Sequence, residues 1–157
     1  MPELCRYLFS LDQRLPAGRL NIGFHIRRGD FGAVNRDAEF QGKFNVPIPL
    51  EWYVAIARRL IAIFKDRINI LVVSDAPRED LAPFGTEIPC FFTDKEQDRD
   101  ISDLLALSRC DLIVCSISSY SLWAAFFSEK HYLWFAPNLT PAGDLASIWG
   151  HEKDQQT

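Results

Sequence analysis

None of the four cysteines (Cys5, Cys90, Cys110 and Cys115) stands at Cys-x-x-Cys spacing, so the sequence offers neither a zinc-ligand pattern nor a disulfide framework. Cys110 and Cys115 flank an apolar run and read as core thiols. The opening Met1-Pro2-Glu3 lacks the basic region and apolar run of a signal peptide, and no apolar stretch reaches transmembrane length. A cytoplasmic protein is the expectation. Positive charge is also in deficit. A net charge of −4 and a pI near 5.3 argue against a general nucleic-acid or anionic-membrane surface, so any anion site must be local. There is no Gly-x-Gly-x-x-Gly after a strand and no Gly-x-x-x-x-Gly-Lys-Ser/Thr loop, which disfavours dinucleotide oxidoreductases and P-loop NTPases. Internal repeats and low-complexity segments are absent as well.

What is present is enough chain, 157 residues at 48% hydrophobic content, for one domain with a real core and too little for two ordinary ones. Residues 1–150 read as that domain and 151–157 as a polar, frayed tail. Residues 3–15 carry Leu4, Tyr7, Leu8, Leu11 and Leu15 at helical spacing. Pro16-Ala17-Gly18 ends that helix and leads into a first strand, Leu20–Ile26. From Gly29 to Pro49 periodicity is lost, and loops this long are usually functional or mobile. An amphipathic helix follows over about 51–65, with Tyr53, Ile56, Ala57, Leu60, Ile63 and Phe64 on one stripe. Ile68–Val73 is a β-branched strand, Glu79–Phe84 a short helix ended near Gly85, and Ile88–Phe92 a third strand. Thr93–Asp100 reads as a solvated charged loop, Ile101–Ser108 as a helix and Leu112–Cys115 as a fourth strand. A helix from about Ser119 to Ser128 and a fifth strand, His131–Phe135, closed by Pro137-Asn138, complete the pattern. Strands alternating with helices at this spacing imply an α/β fold with a parallel, doubly wound, Rossmann-like sheet flanked by helices.

Three strands end in polar groups: His25, Arg27 and Arg28 after the first, Ser74 and Asp75 after the second, Ser116, Ser118 and Ser119 after the fourth. In a parallel sheet all three ends lie on one rim, where ligands of open α/β sheets collect. By strand alternation His25 and Arg27 share one face and Ile26 and Arg28 the other. Adjacent arginines need an anion, either a nearby carboxylate such as Asp30 or Asp75 or a phosphate. Ser118 and Ser119 open a helix and read either as ordinary N-caps or as phosphate ligands beside backbone N–H groups. Beside two arginines, a diphosphate is the better reading. Asp103, placed in the first turn of its helix, serves equally well as a dipole partner or as a carboxylate accepting the N1 and N2 hydrogens of guanine.

His25-Ile26-Arg27-Arg28-Gly29-Asp30-Phe31 resembles the first signature motif of the α1,2-, α1,6- and protein O-fucosyltransferase superfamily. Pro49-Leu50-Glu51-Trp52-Tyr53 and Val72-Val73-Ser74-Asp75 resemble the helix and strand that follow it, and the stretch from Asp103 to Ala125 resembles the last motif in order and spacing. The matches run from about residue 25 to 125. Ile117 and its flanks stand nearer the α1,6 pattern than the α1,2 one. The resemblance implies the GDP-fucose-binding half of a GT-B-type glycosyltransferase that inverts the anomeric centre and uses no metal. Arg27 would hold the β-phosphate and the charge developing on GDP, an electrostatic role suited to an Arg fork. His25, Arg28 and Asp75 would support the donor, Asp103 would read guanine, and Ser118 and Ser119 would bind phosphate. Asp30, Asp37 and Glu39 are candidate general bases with no pattern to choose among them.

The resemblance also implies a domain ahead of the first motif, so the glycan acceptor and its half of the site are expected outside these residues. A homo-oligomer or a partner could supply that surface, with Trp123, Phe126 and Phe127 available to it or to the core. Two functions follow. One is a fucosyltransferase or its donor-binding half; the other is a non-catalytic guanine-nucleotide or nucleotide-sugar module. A third, in which Arg27 pairs with Asp30 or Asp75 and nothing binds, is the bland alternative.

Overall fold

The computed structural model describes residues 15–29, 47–93, 99–136, 140–142 and 145–147. The expected helix over 3–15, most of the 29–49 segment, residues 94–98, Cys5, Pro137-Asn138 and the tail therefore lie outside the described residues. Five strands form one parallel sheet: β1 (Leu20–Ile26), β2 (Ile68–Ser74), β3 (Phe91–Phe92), β4 (Leu112–Val114) and β5 (His131–Leu133). Their order is β3-β2-β1-β4-β5. This is the Rossmann-like arrangement that the alternation implies.

The chain builds outward from β1 to β2 and β3, then returns across the sheet to lay β4 against the other side of β1. That reversal makes the gap between the carboxyl ends of β1 and β4 a topological switch point, where open α/β sheets bind ligands. β1 pairs along its whole length with β2, from Leu20↔Ile68 to Ile26↔Ser74. His25 and Asp75 therefore emerge on adjacent parts of one rim.

Helix α1 (Leu50–Phe64) covers one face of the sheet, packing Tyr53, Val54 and Ala57 against Ile22, Phe24, Ile26, Ile70 and Val72. Its inward stripe differs by one position from the expected one. Ile61 faces the core and Ile63 is exposed, because Tyr53, Ala57, Leu60, Ile61 and Phe64 follow the 3.6-residue period more closely. Helices α2 (Arg99–Ser108) and α3 (Ser119–Ser128) cover the other face, over Leu71, Val73, Ile113 and Cys115. There β1 offers Gly23. A Cβ at that position would stand 2.9 Å from both Leu107 Cδ2 and Cys110 Sγ, so the missing side chain lets α2 rest on the strand backbone.

Other expectations shift. Ile88–Phe92 is a strand only over its last two residues; Ile88 makes a single bridge to Phe84, and Gly85 turns the chain at φ +91°. The short helix expected over Glu79–Phe84 is a 3₁₀ turn, Arg78–Leu81, followed by a separate turn at Pro83–Thr86. Arg99 and Asp100 belong to α2 rather than to a loop. β4 and β5 are each shorter than expected, and an antiparallel hairpin, β6 (Thr140–Ala142) with β7 (Leu145–Ser147), was not anticipated. Cys110 and Cys115 are buried free thiols, both pushed up to about 12 by burial, which makes them inert core groups. Trp123, Phe126 and Phe127 stack on one another on the exposed side of α3 and take no part in the core. No helix among the described residues is long and apolar enough to cross a membrane.

Candidate functional site

A pocket of about 300 Å³ lies at the switch point, lined by His25, Arg27, Val73, Ser74, Asp75, Asp100, Asp103 and Tyr120. The strands and helices account for its contents. β1 turns His25 and Arg27 toward the α2 and α3 face. Because α2 runs back from the rim toward the start of β4, the residue one turn before Leu107 is carried up to the level of His25. That residue is Asp103, which is 4% exposed.

His25 is the best-determined group in the site. Its Nδ1 lies 2.6 Å from Ser121 Oγ, and its ring meets Tyr120 at 4.9 Å between centroids. Ser121 Oγ also accepts the Ser116 N–H at 2.9 Å, and the Ser121 N–H is held by Ser118 Oγ. Burial pushes His25 down from 6.5 to about 4; Asp75 opposes that change and Arg27 adds to it. The imidazole is therefore neutral through the physiological range, with one ring nitrogen a donor and the other an acceptor. Across the pocket the Tyr120 hydroxyl donates to the Asp100 carbonyl, joining the starts of α3 and α2.

Asp75 organises the arginine segment. Its Oδ1 accepts the Arg28 N–H at 2.8 Å, and its Oδ2 stands 3.6 Å from Arg27 Nε in a half-exposed ion pair. Gly29 permits this approach, since a Cβ there would meet Asp75 Oδ2 at 3.0 Å. Beneath it, Ser74 Oγ donates to the Ile26 carbonyl at 2.5 Å and accepts the Ala76 N–H at 3.1 Å. These bonds tie the end of β2 to the end of β1.

No protein-family model matches the sequence, and no curated protein matches it. Solved structures do match the fold. The fucosyltransferase NodZ from Bradyrhizobium aligns over 80% of this chain and 42% of its own, with a TM-score of 0.51 at 16% identity. POFUT1 in complex with GDP aligns over 84% of this chain and 45% of its own, with a TM-score of 0.57 at 11% identity. NodZ α-1,6-fucosyltransferase soaked with GDP-fucose gives 81%, 42%, 0.53 and 16% in the same order. The fold is fucosyltransferase-like. The chain spans less than half the length of each of these structures.

Within this fucosyltransferase-like fold, five of the residues singled out in the sequence line one pocket: His25, Arg27, Ser74, Asp75 and Asp103. Arg28 is outside it, anchored through its backbone to Asp75. Ser118 is the N-cap of α3, with its side-chain oxygen committed to the Ser121 N–H at 3.3 Å. Ser119 is exposed in the first turn. Asp103 is not in the first turn of its helix. α2 begins at Arg99, which puts Asp103 in the second turn, beyond the reach of a dipole-capping role. Asp30, Asp37 and Glu39 lie outside the described residues. Sequence reasoning missed Ser121, Tyr120 and Asp100. The inward stripe Ser121, Ala124 and Ser128 recurs at three and four along α3 and pointed to Ser121. Tyr120 and Asp100 carried no such signal.

Proposed function

We propose that this chain binds a guanine nucleoside-diphosphate sugar, GDP-fucose, as the donor-binding half of an inverting, metal-independent fucosyltransferase. One observation carries the reading: a buried carboxylate, Asp103, and a neutral imidazole, His25, share a pocket at the β1–β4 switch point with Arg27 beside them. The pocket also holds Asp75 and Asp100, and so many carboxylates around one cation disfavour a phosphate in its interior. They suit a base whose recognition edge donates hydrogens. Guanine presents N1–H and N2–H₂ side by side to a carboxylate, whereas adenine has an acceptor at N1. The diphosphate then belongs outside, against Arg27 and Arg28 and the first turn of α3, where guanidinium forks and backbone N–H groups favour anions. Arg27 has the catalytic role, stabilising charge on the departing GDP, and Ser119 the more accessible of the two serine positions. The fold it shares with proteins solved with GDP and GDP-fucose supports this reading.

A non-catalytic nucleotide-sugar module is the second reading, favoured by the short span of the chain relative to the structures it matches. Calorimetry with GDP, GDP-fucose, UDP and ADP tests what both share. Guanine nucleotides bind selectively, and Asp103→Ala or Arg27→Ala weakens GDP about 10- to 100-fold, the loss expected of one charge-assisted hydrogen bond. Equal affinity for ADP, or no binding at all, rules both out. Fucose transfer or slow GDP-fucose hydrolysis then separates enzyme from module.

A further inference from the structure

β2 ends between two hollows. The nucleotide pocket lies on its α2 and α3 face, against Val73, while a larger cavity of about 390 Å³ lies on the opposite face, against Val72. Ser74 borders both. The second cavity sits at the carboxyl ends of β2 and β3, on the same functional rim, and the nucleotide reading leaves it unused. Its floor is apolar, made by Val72, Leu81 and Phe92, and besides Ser74 its polar groups are Arg78, Glu79 and Thr93.

Two features mark it as a binding site. Thr93 is 6% exposed, and its hydroxyl has no hydrogen-bond partner among the described residues, although buried hydroxyls are nearly always paired. Its backbone N–H is already used, donating to the Val72 carbonyl at 3.2 Å, so the side chain alone is left over. In addition, the Arg78 guanidinium is held 4.8 Å above the Phe92 ring, which fixes a long side chain at the cavity's edge. The chemistry of the occupant follows. Arg78 and Glu79 bring opposite charges to one mouth, so the lining itself carries no excess of either sign. Adjacent fixed donors and acceptors over an apolar floor suit an uncharged ring bearing hydroxyls on its edge and C–H groups on its face.

We propose that this cavity is a subsite for a neutral sugar ring. That its occupant is a unit of the glycan acceptor rests on the fucosyl-transfer reading; that the cavity binds a neutral sugar does not.

The test is a titration of the 157-residue chain, followed by amide NMR, with methyl α-glucoside, methyl β-galactoside and methyl N-acetyl-β-glucosaminide, and with inorganic phosphate and GDP in parallel. At least one glycoside shifts the amides of Phe92, Thr93 and Arg78 at millimolar concentration, and phosphate leaves them unchanged. Thr93→Val weakens that glycoside at least fivefold, Thr93→Ser restores it, and both bind GDP within twofold of the parent. The inference is overturned if no glycoside perturbs these amides, if phosphate perturbs them equally, or if Thr93→Val binds the glycosides unchanged. Parallel loss of GDP binding in Thr93→Val overturns it too, by making the cavity part of the nucleotide site. Glycoside binding in a chain that ignores GDP leaves the subsite standing and removes the nucleotide reading.

Discussion

The seating of α2 on Gly23 sets the height of Asp103, and the variant Gly23→Ala tests that directly. The added methyl would stand 2.9 Å from Leu107 Cδ2 and Cys110 Sγ and 3.3 Å from Cys110 Cβ. Non-bonded carbons are comfortable only near 3.5–4.0 Å. Leu107 is fully buried and Cys110 nearly so, so neither can swing into solvent, and α2 must lift by a fraction of an ångström to about 1 Å. Overpacking of this kind costs about 1–3 kcal/mol. At this chain length each kcal/mol lowers Tm by about 2–4 °C, which gives a loss of roughly 2–12 °C by differential scanning fluorimetry. The effect on binding is larger in proportion. Asp103 lies one turn, about 6 Å, from Leu107 along the helix, and His25 lies about 7 Å from Gly23 along the strand. A lift at the Gly23 contact is therefore passed to the Asp103–His25 pair almost undiminished. On the proposed guanine reading, a charge-assisted hydrogen bond from the base to Asp103 stretched by that amount loses most of its value, about 1.5–3 kcal/mol, or about 10- to 100-fold in GDP affinity by calorimetry. In Gly23→Ala/Leu107→Ala/Cys110→Ala both atoms at 2.9 Å are gone and only the Cβ of residue 110, at 3.3 Å, stays near the methyl, so affinity recovers although stability does not. A single variant with the parent's Tm and GDP affinity would refute this account of how Asp103 is positioned.

Two further outcomes follow from the His25 network. Ser121→Ala removes the group facing His25 Nδ1 and the acceptor of the Ser116 N–H; with both buried, urea unfolding shows a loss of about 2–4 kcal/mol, and a loss under 0.5 kcal/mol removes Ser121 from the network. His25 also makes the fold acid-sensitive. Its folded value, about 4, lies below the ordinary 6.5, so the unfolded chain takes up the proton first. The stability due to the neutral ring is complete above pH 6.5 and is lost as pH falls toward 4, by about 3 kcal/mol. In His25→Gln that part of the pH dependence disappears from urea midpoints measured between pH 7.5 and 4.5, and an unchanged slope would show that other groups carry it.

The sheet was largely legible because its signals are local. β1 matches its expected bounds, α3 begins and ends where its cap and composition place it, and β2 and α1 differ by one residue. What failed depended on neighbours. Ile88–Phe92 has the composition of a strand, but only Phe91 and Phe92 find partners on β2, and composition cannot report partner length. Ile101, an apolar residue of α2, is exposed, whereas Ser102 and Asp103 are buried. Helical periodicity finds the apolar side of a helix, and α2 turns a polar side inward over the site. That mismatch between the apolar and the buried face is where sequence patterning fails at functional sites. The convergence of His25, Arg27 and Asp75 was legible for a simpler reason, since all parallel strands deliver their ends to one rim. The His25–Ser121 contact spans 96 positions of sequence, so the helical stripe that marks Ser121 as inward does not say what it meets.

The Arg27–Asp75 pair gives the site an unusual resting state. The Arg27 guanidinium on the rim already has a tenant, Asp75, at 3.6 Å. An anion reaching Arg27 enters by exchange, displacing or sharing a carboxylate that stays tethered through the Arg28 N–H. A site built this way favours an incoming group by the number of oxygens it can offer as well as by its charge. On the proposed nucleotide reading, a diphosphate offers more oxygens than one carboxylate, while chloride and single carboxylates meet a competitor that never diffuses away.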